Sequence, residues 1–131
     1  MAFEEDVLDI SFKVSTDLSG AQYHFVKLSA NDKVAIVSGA TDQAIGVLQN
    51  KPNGTVTEAV ARVRVMGVSR VYAATSALTV GSLVGYDSSG HGAAVTAHSA
   101  KYMGLCTAAT TTAGETSTVV LYGNARQIVT S

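Results

Sequence analysis

Apolar and polar residues alternate with a period near two along much of the chain, the signature of half-buried strands. The clearest stretch is Ala59–Met66, where Arg62 and Arg64 fall on one face and Ala61, Val63 and Val65 on the other. The same alternation predicts strands over Gln22–Leu28, Lys33–Val37, Ile45–Gln49, Val68–Ala73, Ser82–Tyr86, Ala93–Thr96, Tyr102–Thr107 and Thr116–Tyr122. Turn residues separate them: Asn31-Asp32, Ser38-Gly39, Pro52-Asn53-Gly54, Ser88-Ser89-Gly90 and Ala113-Gly114. Strands about ten residues apart with short turns indicate an all-β barrel or sandwich. No window supports a long amphipathic helix; Ala40–Gln43 and Ala97–Lys101 offer one turn each.

The pattern also repeats. Val26–Leu48 lies against Val84–Cys106 at a constant offset of 58 without gaps. Val26/Val84, Ala35/Ala93, Val37/Val95 and Gly46/Gly104 are identical, and Leu28/Tyr86, Ile45/Met103 and Val47/Leu105 are similar. After a two-residue deletion, Val63–Arg70 lies against Val119–Arg126, which aligns Gly67 with Gly123. The expectation is a single β domain over 21–131, made of two similar β units (about 26–70 and 84–126). Neither unit could bury its apolar face alone.

Residues 1–20 lie outside this repeat and read as an N-terminal arm. Glu4, Glu5, Asp6, Asp9 and Asp17 make them acidic, while Phe3, Val7, Leu8, Ile10 and Phe12 are scattered apolar positions. Leu8, Ile10 and Phe12 share one face, as an added strand would require. For Met1–Asp6 a disordered tail is the other reading.

Composition narrows the function. Apolar residues make up 47% of the 131, enough for a core, but with no Trp and three Phe that core is built of small side chains. A chain of this length can fold without disulfides or metal. The net charge of −1 gives no basic excess for nucleic acid or an anionic membrane. The lone Cys106 cannot pair internally, and no apolar run is long enough to span a bilayer. The acidic N-terminus has no signal-peptide pattern, so synthesis in a cytosol-like compartment is expected.

Candidate chemistry is sparse. His24, His91 and His98 lack zinc-ligand spacing and a second Cys. Asp87-Ser88-Ser89-Gly90-His91 holds triad residue types, but neighbours in one turn do not take triad positions, and Asp-Ser-Ser-Gly is ordinary turn chemistry. Gly81-x-x-x-Gly85 lacks the Gly-Lys-Ser/Thr of a phosphate loop. Cys106 has no activating partner and suits a core position. Arg62 and Arg64 form either a solvated face or a protein interface. No enzyme activity, cofactor, metal or small-molecule substrate is expected.

Ala44-Ile45-Gly46-Val47, the Gly54 loop, Val65-Met66-Gly67, Ala77–Val84 and Met103-Gly104-Leu105 through Ala113-Gly114-Glu115 to Val119-Val120-Leu121 resemble the capsid cement, or head decoration, proteins of tailed bacteriophages. The resemblance spans approximately Phe12 to Arg126. It implies a small β-barrel or β-tulip on the outer surface of an expanded phage head. It also implies a homotrimer that clamps neighbouring major capsid proteins, with an N-terminal arm adding strand pairing. Phe3, Glu4, Glu5, Asp6, Leu8, Ile10, Phe12, Arg62 and Arg64 are the candidate interface residues. Another virion component, such as a tail-tube or head-fibre base protein, lies close to this reading. The alternative from another class is a small β-barrel binding module for carbohydrate or peptide, whose groove would draw on Tyr23, Tyr72, Tyr86, Tyr102 and Tyr122.

Overall fold

The computed structural model describes residues 5–54, 59–73, 78–109 and 115–129. Among them the chain is all-β, without a helix. The strands are β1 (Glu5–Val14), β2 (Phe25–Ala30), β3 (Lys33–Ile36), β4 (Ala44–Leu48), β5 (Val60–Ala73), β6 (Leu83–Tyr86), β7 (Gly92–Ala94), β8 (Lys101–Ala108) and β9 (Glu115–Gln127). They form one nine-stranded sheet in the order β1-β3-β2-β4-β5-β9-β8-β6-β7. β1 also pairs with β5, which closes β1, β3, β2, β4 and β5 into a ring. The single-turn helices expected at 40–43 and 97–101 are turns and bends.

Two segments expected as separate strands, Ala59–Met66 and Val68–Ala73, are one strand, β5. Gly67 joins them at φ +118°, a conformation glycine adopts without steric cost, so the strand can bend without breaking.

β5 is shared by two units with the same pairing. Val26 pairs with Ile36 and Gly46; Val84, 58 residues on, pairs with Ala94 and Gly104. Both ladders carry the same irregularity, between Val26 and Lys27 and between Val84 and Gly85. Leu48 opposes Val63 as Cys106 opposes Val119. The reason for the paired glycines is steric. A Cβ on Gly46 would lie 2.3 Å from the Arg64 carbonyl oxygen, and one on Gly104 would lie 2.3 Å from that of Val120.

Residues 5–14, expected as an arm outside the sheet domain, are a strand inside it. β1 runs antiparallel to the first half of β5, from Glu5↔Val68 to Lys13↔Val60, and parallel to β3 at Lys13↔Lys33 and Val14↔Val34. Its counterpart in the second unit is the second half of β5, which lies on β9 as β1 lies on β5. Leu8 opposes Met66 and Asp9 opposes Arg64; Met66 opposes Tyr122 and Val68 opposes Val120. The connection after β1 is held as well. Leu18 N–H donates to Pro52 O (3.1 Å), and the Asp17 carboxylate accepts from Ser19 N–H (3.1 Å) and Gly54 N–H (3.3 Å).

Two apolar clusters fill the sheet's concave faces. One lies in the first unit: Leu18, Ala21, Val26, Val34, Leu48, Ala61 and Val63, edged by Phe12 and Val14 from β1. The other joins the interior of the second unit (Val71, Val84, Cys106, Val119) to Phe25, Ala44 and Val47 of the first. Tyr86 anchors this seam. It is buried against Phe25, accepts from Ala44 N–H (3.2 Å) and donates its hydroxyl to the Asp42 carbonyl. Cys106 is buried there too, and burial pushes its thiol pKa up.

Candidate interaction surface

The β1–β5 ladder collects most of the residues that the sequence singled out. Phe3 and Glu4 lie outside the described residues. Glu5 and Asp6 pair through their backbones with Val68 and Gly67. Leu8 is 44% exposed and Ile10 38% exposed, while Phe12 is half-buried against the first cluster. Val7, Val60 and Met66 are also exposed on this ladder, Met66 directly opposite Leu8 and Val60 at the other end opposite Lys13. Leu8 and Met66 are a directly opposed pair of exposed apolar side chains at one end of the ladder.

The two arginines part company. Arg62 is exposed, as a solvated or interface residue would be, whereas the Arg64 side chain is only 6% exposed. Its guanidinium meets Asp9 in a two-pronged contact, Nε to Oδ1 at 2.9 Å and Nη2 to Oδ2 at 3.2 Å. Nη1 donates to Val68 O at 3.0 Å. Arg62 Nε stands 3.4 Å from Asp9 Oδ2, so one carboxylate serves both arginines. Arg64 therefore holds β1 to β5 and is not presented to a partner. Such a fork fixes register because both hydrogen bonds form only when the planes meet. Asp9 is the residue that the sequence pattern did not single out. Its signal was present only as an acid on a strand that would face two basic residues.

A second feature lies at the seam between the units. Tyr23 and His24, leading into β2, meet Tyr72 of β5 and His91, which precedes β7. His24 stacks on Tyr72 with ring centroids 5.0 Å apart and 13° between planes, and His91 meets His24 edge-on at 4.8 Å. Burial pushes the His24 pKa down. His91 Nδ1 lies 3.4 Å from the Asp87 carboxylate. These rings and Lys51 line a cleft of about 540 Å³. Of the five tyrosines, Tyr23 and Tyr72 line this cleft and Tyr86 is core. Tyr102 and Tyr122 pair edge-to-face at 6.2 Å on β8 and β9, with the Arg126 guanidinium 5.1 Å from the Tyr122 ring centroid.

Asp87 accepts from the backbone N–H groups of Ser89 (2.8 Å) and His91 (3.1 Å), which is turn chemistry. Among the described residues no three His, Cys, Asp or Glu side chains gather as metal ligands would. No helix of the described residues is long and apolar enough to cross a membrane.

No protein-family model matches the chain, and no curated protein matches it. Among solved structures it is similar to the N base of head fiber gp8.5 in bacteriophage phi29, with a TM-score of 0.65 at 12% sequence identity. The match covers 92% of this chain and 98% of the other. At that identity the likeness establishes a shared all-β fold over nearly the whole of both chains.

Proposed function

We propose that this chain is a non-enzymatic structural protein of a phage virion. On this reading it attaches to the outer surface of the head and stabilises contacts between major capsid proteins, as a cement or decoration protein. The observation that carries the reading is the end-to-end likeness to a phage head-fibre base. It joins an independent resemblance in the sequence to head decoration proteins. The surface supports the same reading. The exposed side chains of the β1–β5 ladder, Leu8 and Met66 opposite each other with Val7, Ile10 and Val60 elsewhere on it, offer apolar area to a partner, and Arg62 is exposed on the same ladder. Self-association as a homotrimer would hide such side chains and the sheet edges in a closed assembly. Many copies on one lattice would then gain from multivalency even where each contact is weak. Attachment as the base of a head fibre is the second reading, and the same likeness favours it.

Quantitative mass spectrometry of purified virions tests the proposal. The chain is expected at a fixed ratio to the major capsid protein and removable by mild denaturant with the shell intact. Its absence from virions would overturn both readings. A copy number of one per many capsid subunits would favour the fibre base over the cement.

A further inference from the structure

We propose that the cleft at the seam between the two units is a binding site for an anionic sugar residue, a function separate from head attachment. The first observation is backbone strain. Tyr23 sits at φ +67°, in the left-handed region that bulky residues avoid. Its counterpart 58 residues on is Gly81, at φ +85°. The two occupy the same hydrogen-bonding position: Tyr23 N–H donates to Leu48 O at 2.7 Å, and Gly81 N–H to Cys106 O at 2.8 Å. The second unit solves this turn with glycine, whereas the first tolerates a tyrosine there. Strain of this kind clusters at ligand sites, where the side chain's work offsets its cost.

That tyrosine forms one wall of the cleft. Its carbonyl accepts from Tyr72 N–H at 3.0 Å, which ties the strained turn to the second unit. Tyr72, His24 and His91 supply the other aromatic surface. Lys51 stands at the rim, and the Arg70 guanidinium lies 5.9 Å from the Tyr23 ring centroid. Among the described residues, donors, amphipathic rings and the Lys51 cation line the space and no carboxylate does; the Asp87 carboxylate stands 3.4 Å from His91 Nδ1 and faces that ring. A volume of about 540 Å³ lies within the usual range for small-molecule sites. A pyranose fits this chemistry, with an apolar face for the rings, hydroxyls for the phenols and imidazoles, and a negative group for Lys51. A nucleotide base does not, because His24 and Tyr72 already stack on each other and leave no slot between them.

The test is an NMR titration of the full chain with D-glucuronic acid, D-glucose and sodium acetate, following the aromatic resonances. Glucuronate is expected to shift Tyr23, His24, Tyr72 and His91 saturably, with a Kd of about millimolar, as befits a single sugar. Acetate should leave the tyrosine rings unmoved. Lys51 is exposed, so Lys51→Glu should fold normally. It should weaken glucuronate by about fivefold, the upper range of an exposed ion pair, and spare glucose. Tyr23→Gly, which installs the second unit's residue, should fold and abolish both sugar responses. Absence of saturable shifts, a Lys51→Glu protein that binds glucuronate unchanged, or acetate reproducing the tyrosine shifts would each overturn the proposal. Head binding by Lys51→Glu should match the parent protein, so loss of attachment and loss of the sugar site are separately visible.

Discussion

The two units close in different ways. In the second unit the first strand arrives covalently as the continuation of β5, and its central cross-strand pair is apolar, Val68 opposite Val120. In the first unit the equivalent strand is β1, which is not the continuation of another described strand, and the equivalent pair is Asp9 opposite Arg64. Where chain connectivity fixes the register, two valines suffice. Where it does not, the structure uses a two-pronged ion pair that forms at a single alignment. Buried charge is a poor source of stability but can specify register.

Removing one partner should therefore have the largest effect. Asp9→Ala leaves the Arg64 charge buried and is expected to cost about 3–5 kcal/mol. Hydrogen exchange should lose protection in β1 first while β8 and β9 keep theirs. Deleting residues 1–12 should act in the same direction, since it removes a strand of the ring. Replacing both partners by the second unit's pair, Asp9→Val with Arg64→Val, should restore most of the loss, because an apolar pair can match or exceed a buried ion pair in stability. A double variant as unstable as Asp9→Ala would mean the two units are not equivalent at this position.

Glycine substitutions probe the sameness of the units. Gly46→Ala and Gly104→Ala each drive a Cβ to 2.3 Å from a backbone oxygen. Each should cost about 1–3 kcal/mol or more in denaturant unfolding, by similar amounts. A large difference between them would break the comparison.

Strand positions were legible from the sequence because buried residues recur at every second position along most of β5, Ala61 and Val63 in its first half and Gly67, Ser69, Val71 and Ala73 in its second. The offset of 58 that aligns Gly46 with Gly104 is also the offset that relates their ladders. β1 was hidden because its counterpart shares no residue with it: Leu8 stands for Met66 and Asp9 for Val68. Arg64 was misread for a related reason. Its burial depends on Asp9, 55 positions away, and alternation within β5 carries no trace of that partner. The cleft was legible only as a list of tyrosines, since His24 and His91 meet across the seam.

Smaller effects complete the comparison. Gly81→Ala places a Cβ in open space but at φ +85°, so its cost is purely conformational, about 1 kcal/mol. Tyr23 should tolerate Ala with less conformational change, since it already carries a side chain there. Asp42 provides a pH signature in the first unit alone. The Ser38 backbone N–H, the Ser38 hydroxyl and Lys27 hold its pKa down from 3.8 to about 2. A depressed folded-state pKa contributes stability that is present above the unfolded value and lost as pH falls through the folded one. Stability should therefore decline between about pH 4 and about pH 2. Asp42→Asn should flatten that decline slightly, because the group is partly solvated.

The most direct measurement is re-binding. Virions stripped of the protein by mild denaturant are mixed with purified chain, and the bound fraction is read by sedimentation. Saturation at a fixed number of copies per head is expected, with binding weakened by charge placed in the exposed pair through Leu8→Glu or Met66→Glu. Stripped heads that bind no added protein, or bind these variants as tightly as the parent, would contradict a head-attachment role for this surface.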